Sequence, residues 1–156
     1  MDYQAVLTEH LQVIVGKKID SVRLACEMMM FDFEDYALHT LCFTRIISDN
    51  DILVSTLDYQ SWDQKVEENN DEWYFVEKYR SKIEGGTVIS VNVSSLNDVE
   101  IVLDNGTTIQ LFVKNGYNHF DDEHEQWVFF KCGDYSYPFI TVYNKSVDIA
   151  VNRLKL

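Results

Sequence analysis

At 156 residues the chain is long enough to bury a core without help from a metal or disulfides. Its 46% hydrophobic and 13% aromatic content, with a single proline, excludes the disordered and low-complexity classes. The 26 acidic against 13 basic residues give a formal charge of −13, which repels phosphate backbones and anionic lipid and so excludes direct nucleic-acid and membrane-surface binding. One α+β domain spanning 1–156 is expected. Cys26, Cys42 and Cys132 are odd in number and each lies in an apolar stretch, which reads as buried hydrophobe in a reducing compartment. The first residues carry neither a basic nor an apolar leader region, so a cytoplasmic location is expected.

Tyr3, Val6, Leu7, Leu11 and Ile14 recur at spacings of three and four, predicting an amphipathic helix over 2–15 that Gly16 ends. From 19 to 47 the pattern turns β-rich: Ile19 to Leu24, Met28 to Phe33 and Leu38 to Ile47 read as three strands of a meander. The cluster Ser48-Asp49-Asn50-Asp51 is a turn, and 52–57 is a fourth strand. Residues 60–83 favour helix, broken at Asn69-Asn70-Asp71, with Asp71 as cap of the second piece and Gly85-Gly86 as its end. Asn105-Gly106 between 99–103 and 107–113 is the strongest local signal, because such a pair supplies the positive φ angles of a two-residue hairpin turn. Strands over 126–132 and 139–143 follow, with a short edge strand from Ser146.

The chain carries a weak internal repeat. Gly16 to Val22 aligns with Gly85 to Val91; one inserted residue later Phe31 to Asp35 meets Ile101 to Asn105, and Leu41-Cys42-Phe43 meets Leu111-Phe112-Val113. Antiparallel β-meanders in two similar three-stranded halves, packed with an N-terminal helix and a central helical segment, would follow. Any two meanders look somewhat alike, so duplication and coincidence both remain open.

Candidate chemistry is sparse. His119, Asp121, Asp122, Glu123 and His124 are metal-ligand types, yet their spacing matches no ligand pattern, and no metal or cofactor is expected. No phosphate-binding glycine loop or nucleophile elbow is present. His39 falls on the opposite strand face from Cys42, so no thiol–imidazole pair is indicated. The acidic clusters are more informative. Over 58–77 there are seven acids against one base, Lys65, with Trp62, Trp73 and Tyr74 among them; Asp121, Asp122, Glu123 and Glu125 form a second cluster ahead of Trp127. Singly, each aromatic is better read as core. Together, Glu67, Glu68, Asp71, Glu72, Trp73, Tyr74, Asp121, Asp122, Glu123 and Glu125 have the make-up of a charge-rimmed protein interface, where charge raises the on-rate and aromatics supply affinity.

Small, acidic, aromatic-rich and β-rich throughout, with Phe139-Ile140-Thr141-Val142-Tyr143 near its end, the chain resembles the immunity proteins of bacterial polymorphic toxin systems, in particular those of contact-dependent growth inhibition. The resemblance is one of style and no residue role carries across by position. It implies a non-enzymatic protein that binds and neutralises a cognate toxin domain, commonly a basic nuclease, by occluding its active site or an adjacent surface. The alternatives are a small hydrolase with dispersed carboxylates and a polar pocket, or a structural module that pairs through a strand edge.

Overall fold

The computed structural model describes residues 2–25, 28–58, 65, 78–115, 122–133 and 136–151. Helix α1, Gln4–Leu11, runs on as a 3₁₀ turn over Gln12–Ile14 and buries Leu7, Leu11 and Ile14, with Tyr3 packed beside them. These are four of the stripe positions; Val6 is only half-buried. Gly16 ends the segment at φ +86°, a conformation that costs a residue with a Cβ. A second helix, α2, is described over residues 78–83 and is ended in the same way by Gly85 at φ +84°.

Eleven strands are described among these residues: β1 Ser21–Ala25, β2 Met28–Phe33, β3 Tyr36–Thr40, β4 Phe43–Ser48, β5 Asp51–Ser55, β6 Val88–Val93, β7 Val99–Leu103, β8 Thr107–Phe112, β9 Glu125–Lys131, β10 Ser136–Tyr143 and β11 Val147–Ala150. They build two antiparallel sheets, one of six strands in the order β1-β2-β3-β9-β10-β11 and one of five in the order β5-β4-β8-β7-β6. Alternate residues of both sheets enter one core cluster, Phe31, Phe33, Trp127, Phe129 and Ile140 from one side and Ile46, Ile101, Ile109 and Leu111 from the other. The architecture is therefore α+β with antiparallel meanders, as expected.

The stretch from Leu38 to Ile47, which reads as one strand, is two. β3 belongs to the six-stranded sheet and β4 to the five-stranded one, with the chain changing sheets at Leu41-Cys42. Leu38, Thr40, Cys42, Thr44 and Ile46 are all buried, so the period of two continues unbroken through the corner and hides it. The corner is held by both Leu41 and Cys42 amides donating to the Gln126 carbonyl (2.7 and 2.9 Å). Within it the Thr44 hydroxyl donates to the Thr40 hydroxyl (2.8 Å), which satisfies polar groups that have no access to water.

The turn at 104–106 also differs from expectation. Gly106 has φ +82°, whereas Asn105 is not left-handed, which fits a three-residue loop closed by a left-handed glycine. Asn105 works through its side chain instead: Nδ2 donates to the Lys82 and Ile83 carbonyls (2.9 and 3.3 Å) and Oδ1 accepts from the Thr107 amide (3.1 Å). The hairpin tip thus satisfies carbonyls left open at the end of α2. The two-residue turn with both φ positive occurs at Asp49 and Asn50, +50° and +71°, joining β4 to β5.

The repeat is expressed as a pseudo-two-fold arrangement. Lys18 and Thr87 form an antiparallel bridge, flanked by matching pairs of hydrogen bonds: Gly16 N to Val88 O and Gly85 N to Ile19 O (both 2.8 Å), Val88 N to Lys17 O and Ile19 N to Gly86 O (both 2.9 Å). From there Val22, Phe31 and Leu38 pair across β1-β2-β3 as Val91, Ile101 and Ile109 pair across β6-β7-β8. Each meander is then extended by a hairpin from the other half, Leu38 facing Phe129 of β9 and Ile109 facing Ile46 of β4. One register needs correction: Leu111 corresponds to Thr40, not Leu41. The loop Asp104-Asn105-Gly106 is one residue longer than the turn Glu34-Asp35, so everything after it shifts by one.

Candidate interaction surfaces

Because the halves correspond residue by residue, the outward faces of the two sheets can be compared position by position. On the five-stranded sheet Glu100, Gln110 and Arg45 are paired neighbours on β7, β8 and β4. Arg45 Nε donates to Gln110 Oε1 (2.7 Å) and Gln110 Nε2 donates to Glu100 Oε2 (2.8 Å), while the guanidinium lies 5.2 Å from the Phe112 ring centroid. This is a cross-strand polar ladder of the kind that suits a solvated sheet face.

At the corresponding positions of the six-stranded sheet stand Met30, His39 and Val128, paired neighbours on β2, β3 and β9. The next row holds Ala37, Phe130 and Phe139. Phe130 and Phe139 stack at 5.4 Å, His39 meets Phe130 edge-on at 5.1 Å, and Phe139 is 44% exposed. Burial among these apolar neighbours pushes the His39 imidazole below its usual range, with the Asp32 carboxylate opposing that shift and Arg23 adding to it. The face is flanked by Asp148 on β11, exposed, and by Asp32 on β2, which Arg23 holds at 3.1 Å.

Reactive groups are few among the described residues. The buried Cys42 thiol is pushed up to about 11 by desolvation, which makes it an inert core thiol. Cys132, in contrast to the sequence reading, is exposed, because β9 ends at Lys131 and leaves it in the following turn. A cleft of about 490 Å³ is lined by Asp49, Lys82, Glu84, Gly86 and Asn105 among others. Its Glu84 carboxylate is already engaged, accepting from the Val22 amide at 3.0 Å and pairing with Arg80 at 3.4 Å. The position across the pseudo-axis is filled by ion pairs, Lys17 with Glu34 (3.2 Å) and Asp35 (3.0 Å), and the hydrogen bonds to Asp35 and then Glu34 raise the Lys17 pKa. No group of three metal-ligand side chains is found among the described residues.

Of the residues assigned to an interface from sequence, Glu67, Glu68, Asp71, Glu72, Trp73, Tyr74 and Asp121 lie outside the described residues, as do Trp62, His119 and the expected helix break. Asp122, Glu123 and Glu125 are described and exposed, and Glu125 opens β9. Trp127, two positions on, belongs to the core: it is fully buried and its Nε1 donates to the Asn97 carbonyl (3.0 Å). The apolar face around Phe130 and Phe139 was missed because alternation marks which residues face the core, and outward apolar residues simply fill in the gaps of that pattern. Its one available signal was the run Trp127-Val128-Phe129-Phe130, apolar at both phases.

No family model matches the chain, and no curated protein or solved structure matches it. Among the described residues no helix is long and apolar enough to cross a membrane.

Proposed function

We propose that this chain is an immunity protein that binds and neutralises a basic toxin domain, a nuclease being the best fit to its charge, inside the bacterial cytoplasm. The observation that carries the reading is the charge of −13, with the exposed acids Asp122, Glu123 and Glu125 set at the mouth of β9. A polyanionic surface imitates the substrate of an enzyme built to hold phosphate, and its field speeds encounter with such an enzyme. Glu67, Glu68, Asp71 and Glu72 with Trp73 and Tyr74 supply further contacts in this reading. Co-expression with the product of the neighbouring open reading frame tests it. A complex that co-purifies and cells that survive the toxin are the expected results, whereas a neighbour without toxicity and no protection would remove the proposal. Reversing the four carboxylates Glu67, Glu68, Asp71 and Glu72 to lysine should abolish the complex with the fold retained.

A hydrolase is the second reading, favoured by the cleft whose lining includes Asp49, Lys82 and Glu84. Turnover of a chromogenic ester or glycoside that disappears in Asp49→Asn would support it.

A further inference from the structure

We infer that the outer face of the six-stranded sheet, centred on Met30, His39, Val128, Phe130 and Phe139, is a docking surface for a cationic protein partner that meets it with an apolar strip flanked by lysine or arginine. The inference rests on the reading that the partner is basic and gives that partner a place to bind.

Two sheets share one backbone plan, so whatever the plan requires of an outward position it requires twice. At three matched positions one sheet carries Glu100, Gln110 and Arg45, hydrogen-bonded to one another, and the other carries Met30, His39 and Val128. The fold therefore tolerates a fully polar row here. In the apolar row Val128 is buried, only 7% exposed, so what the face offers a partner is the half-buried Met30, His39 and Phe130 with the exposed Phe139, and these polar-tolerant positions are apolar or aromatic for a reason beyond folding. Around it the stacked Phe130 and Phe139 add aromatic area of the kind that anchors interfaces. The apolar strip covers four neighbouring strands, β2, β3, β9 and β10. Three inter-strand spacings make that about 15 Å wide, enough to seat one helix of about 10–12 Å diameter.

Charge selects the occupant. Exposed Glu123 and Glu125 lead into β9 at one end of the strip, and exposed Asp148 stands at its β11 flank, paired across strands with Thr141. The cation of the row, Arg23 beside Met30 on β1, is held by Asp32 at 3.1 Å, which leaves the rim net acidic. A second copy of a chain charged −13 would bring like charge against this rim, whereas lysine or arginine beside an apolar strip would complement it.

The test uses the full chain and two 18-residue amphipathic helical peptides, one of leucine and lysine and one of leucine and glutamate. Binding is followed by calorimetry and by amide chemical-shift mapping. The expected result is that the leucine–lysine peptide shifts the amides of Met30, His39, Val128, Phe130 and Phe139 and binds at least tenfold more tightly than its glutamate counterpart. The triple variant Met30→Glu, His39→Gln, Val128→Arg copies the ladder that the other sheet already supports, and it should weaken binding at least tenfold while the thermal unfolding transition stays cooperative. Phe139→Ala, at an exposed position, gives a milder second variant with an expected several-fold loss. Shifts confined to the five-stranded sheet, equal binding of both peptides, unchanged affinity in both variants, or no binding would each overturn the surface. If the neighbouring toxin domain binds both variants as well as it binds the parent, the surface fails and the immunity reading stands. If that domain binds neither parent nor variants while the lysine peptide maps to the sheet, the immunity reading fails and the cationic docking face stands.

Discussion

The two sheets are built on one plan and finished differently. Inside, Phe129 and Ile46 hold matched positions in a common core, and so do Ile140 and Val54, which face them on β10 and β5. Outside, the five-stranded sheet ties its charges into a ladder and the six-stranded sheet shows methionine, imidazole and phenylalanine. A core position constrains both halves to be apolar because one shared volume has to be filled. An outward position carries no such constraint, so the difference between the faces points to what each face meets.

The comparison can be broken most forcefully at the core. Phe129→Ala should cost about 3–5 kcal/mol and Ile46→Ala about 2–5 kcal/mol, the range for large cavities in packed interiors. Denaturant unfolding should show a single transition in both variants; two separated transitions would mean that the sheets do not share one cooperative core. Next in size is the hairpin tip. Asn105→Ala removes the donors to the Lys82 and Ile83 carbonyls and should cost about 1–2 kcal/mol, read from the same unfolding curves. The symmetry itself can be sharpened at Gly16 and Gly85. An added Cβ meets nothing within 4 Å at either position, so alanine there costs only the left-handed backbone, about 1 kcal/mol each, and the two losses should match.

The smallest effect concerns His39. Its folded pKa lies below the ordinary 6.5, so as pH falls the unfolded chain takes up the proton first. Its contribution to stability is thus fully present above pH 6.5 and is lost as pH falls through the window down to the folded pKa. Unfolding measured across that window should fall less steeply for His39→Gln than for the parent. Equal slopes would show that the imidazole is as well solvated in the fold as out of it.

Much of the plan was legible along the chain, since periods of two and of three to four report directly on which side of an element is buried. The helix stripe of Tyr3, Leu7, Leu11 and Ile14, the meanders, and the ends at Gly16 and Gly85 all follow from it. The sheet change at Leu41-Cys42 does not, because its alternation never breaks. Asn105-Gly106 carries a turn signal that several loop lengths satisfy, and the choice among them is made by the Lys82 carbonyl, 23 positions away in sequence. Of the proposed interface, the exposure of Asp122, Glu123 and Glu125 follows from their charge, whereas the face containing Phe130 and Phe139 depends on strand order, which pairs Leu38 of β3 with Phe129 of β9, far apart in the sequence. Trp127 follows a cluster of acids yet, as expected of a single aromatic, its phase on β9 places it in the core.

The most direct test of a cation-binding, substrate-mimicking surface is the association rate of the full chain with the neighbouring toxin domain, measured by stopped flow as ionic strength is raised. A rate well above the ordinary protein–protein range at low salt that falls steeply toward physiological ionic strength is the predicted result. Association whose rate does not change with salt, or no association, would contradict the account.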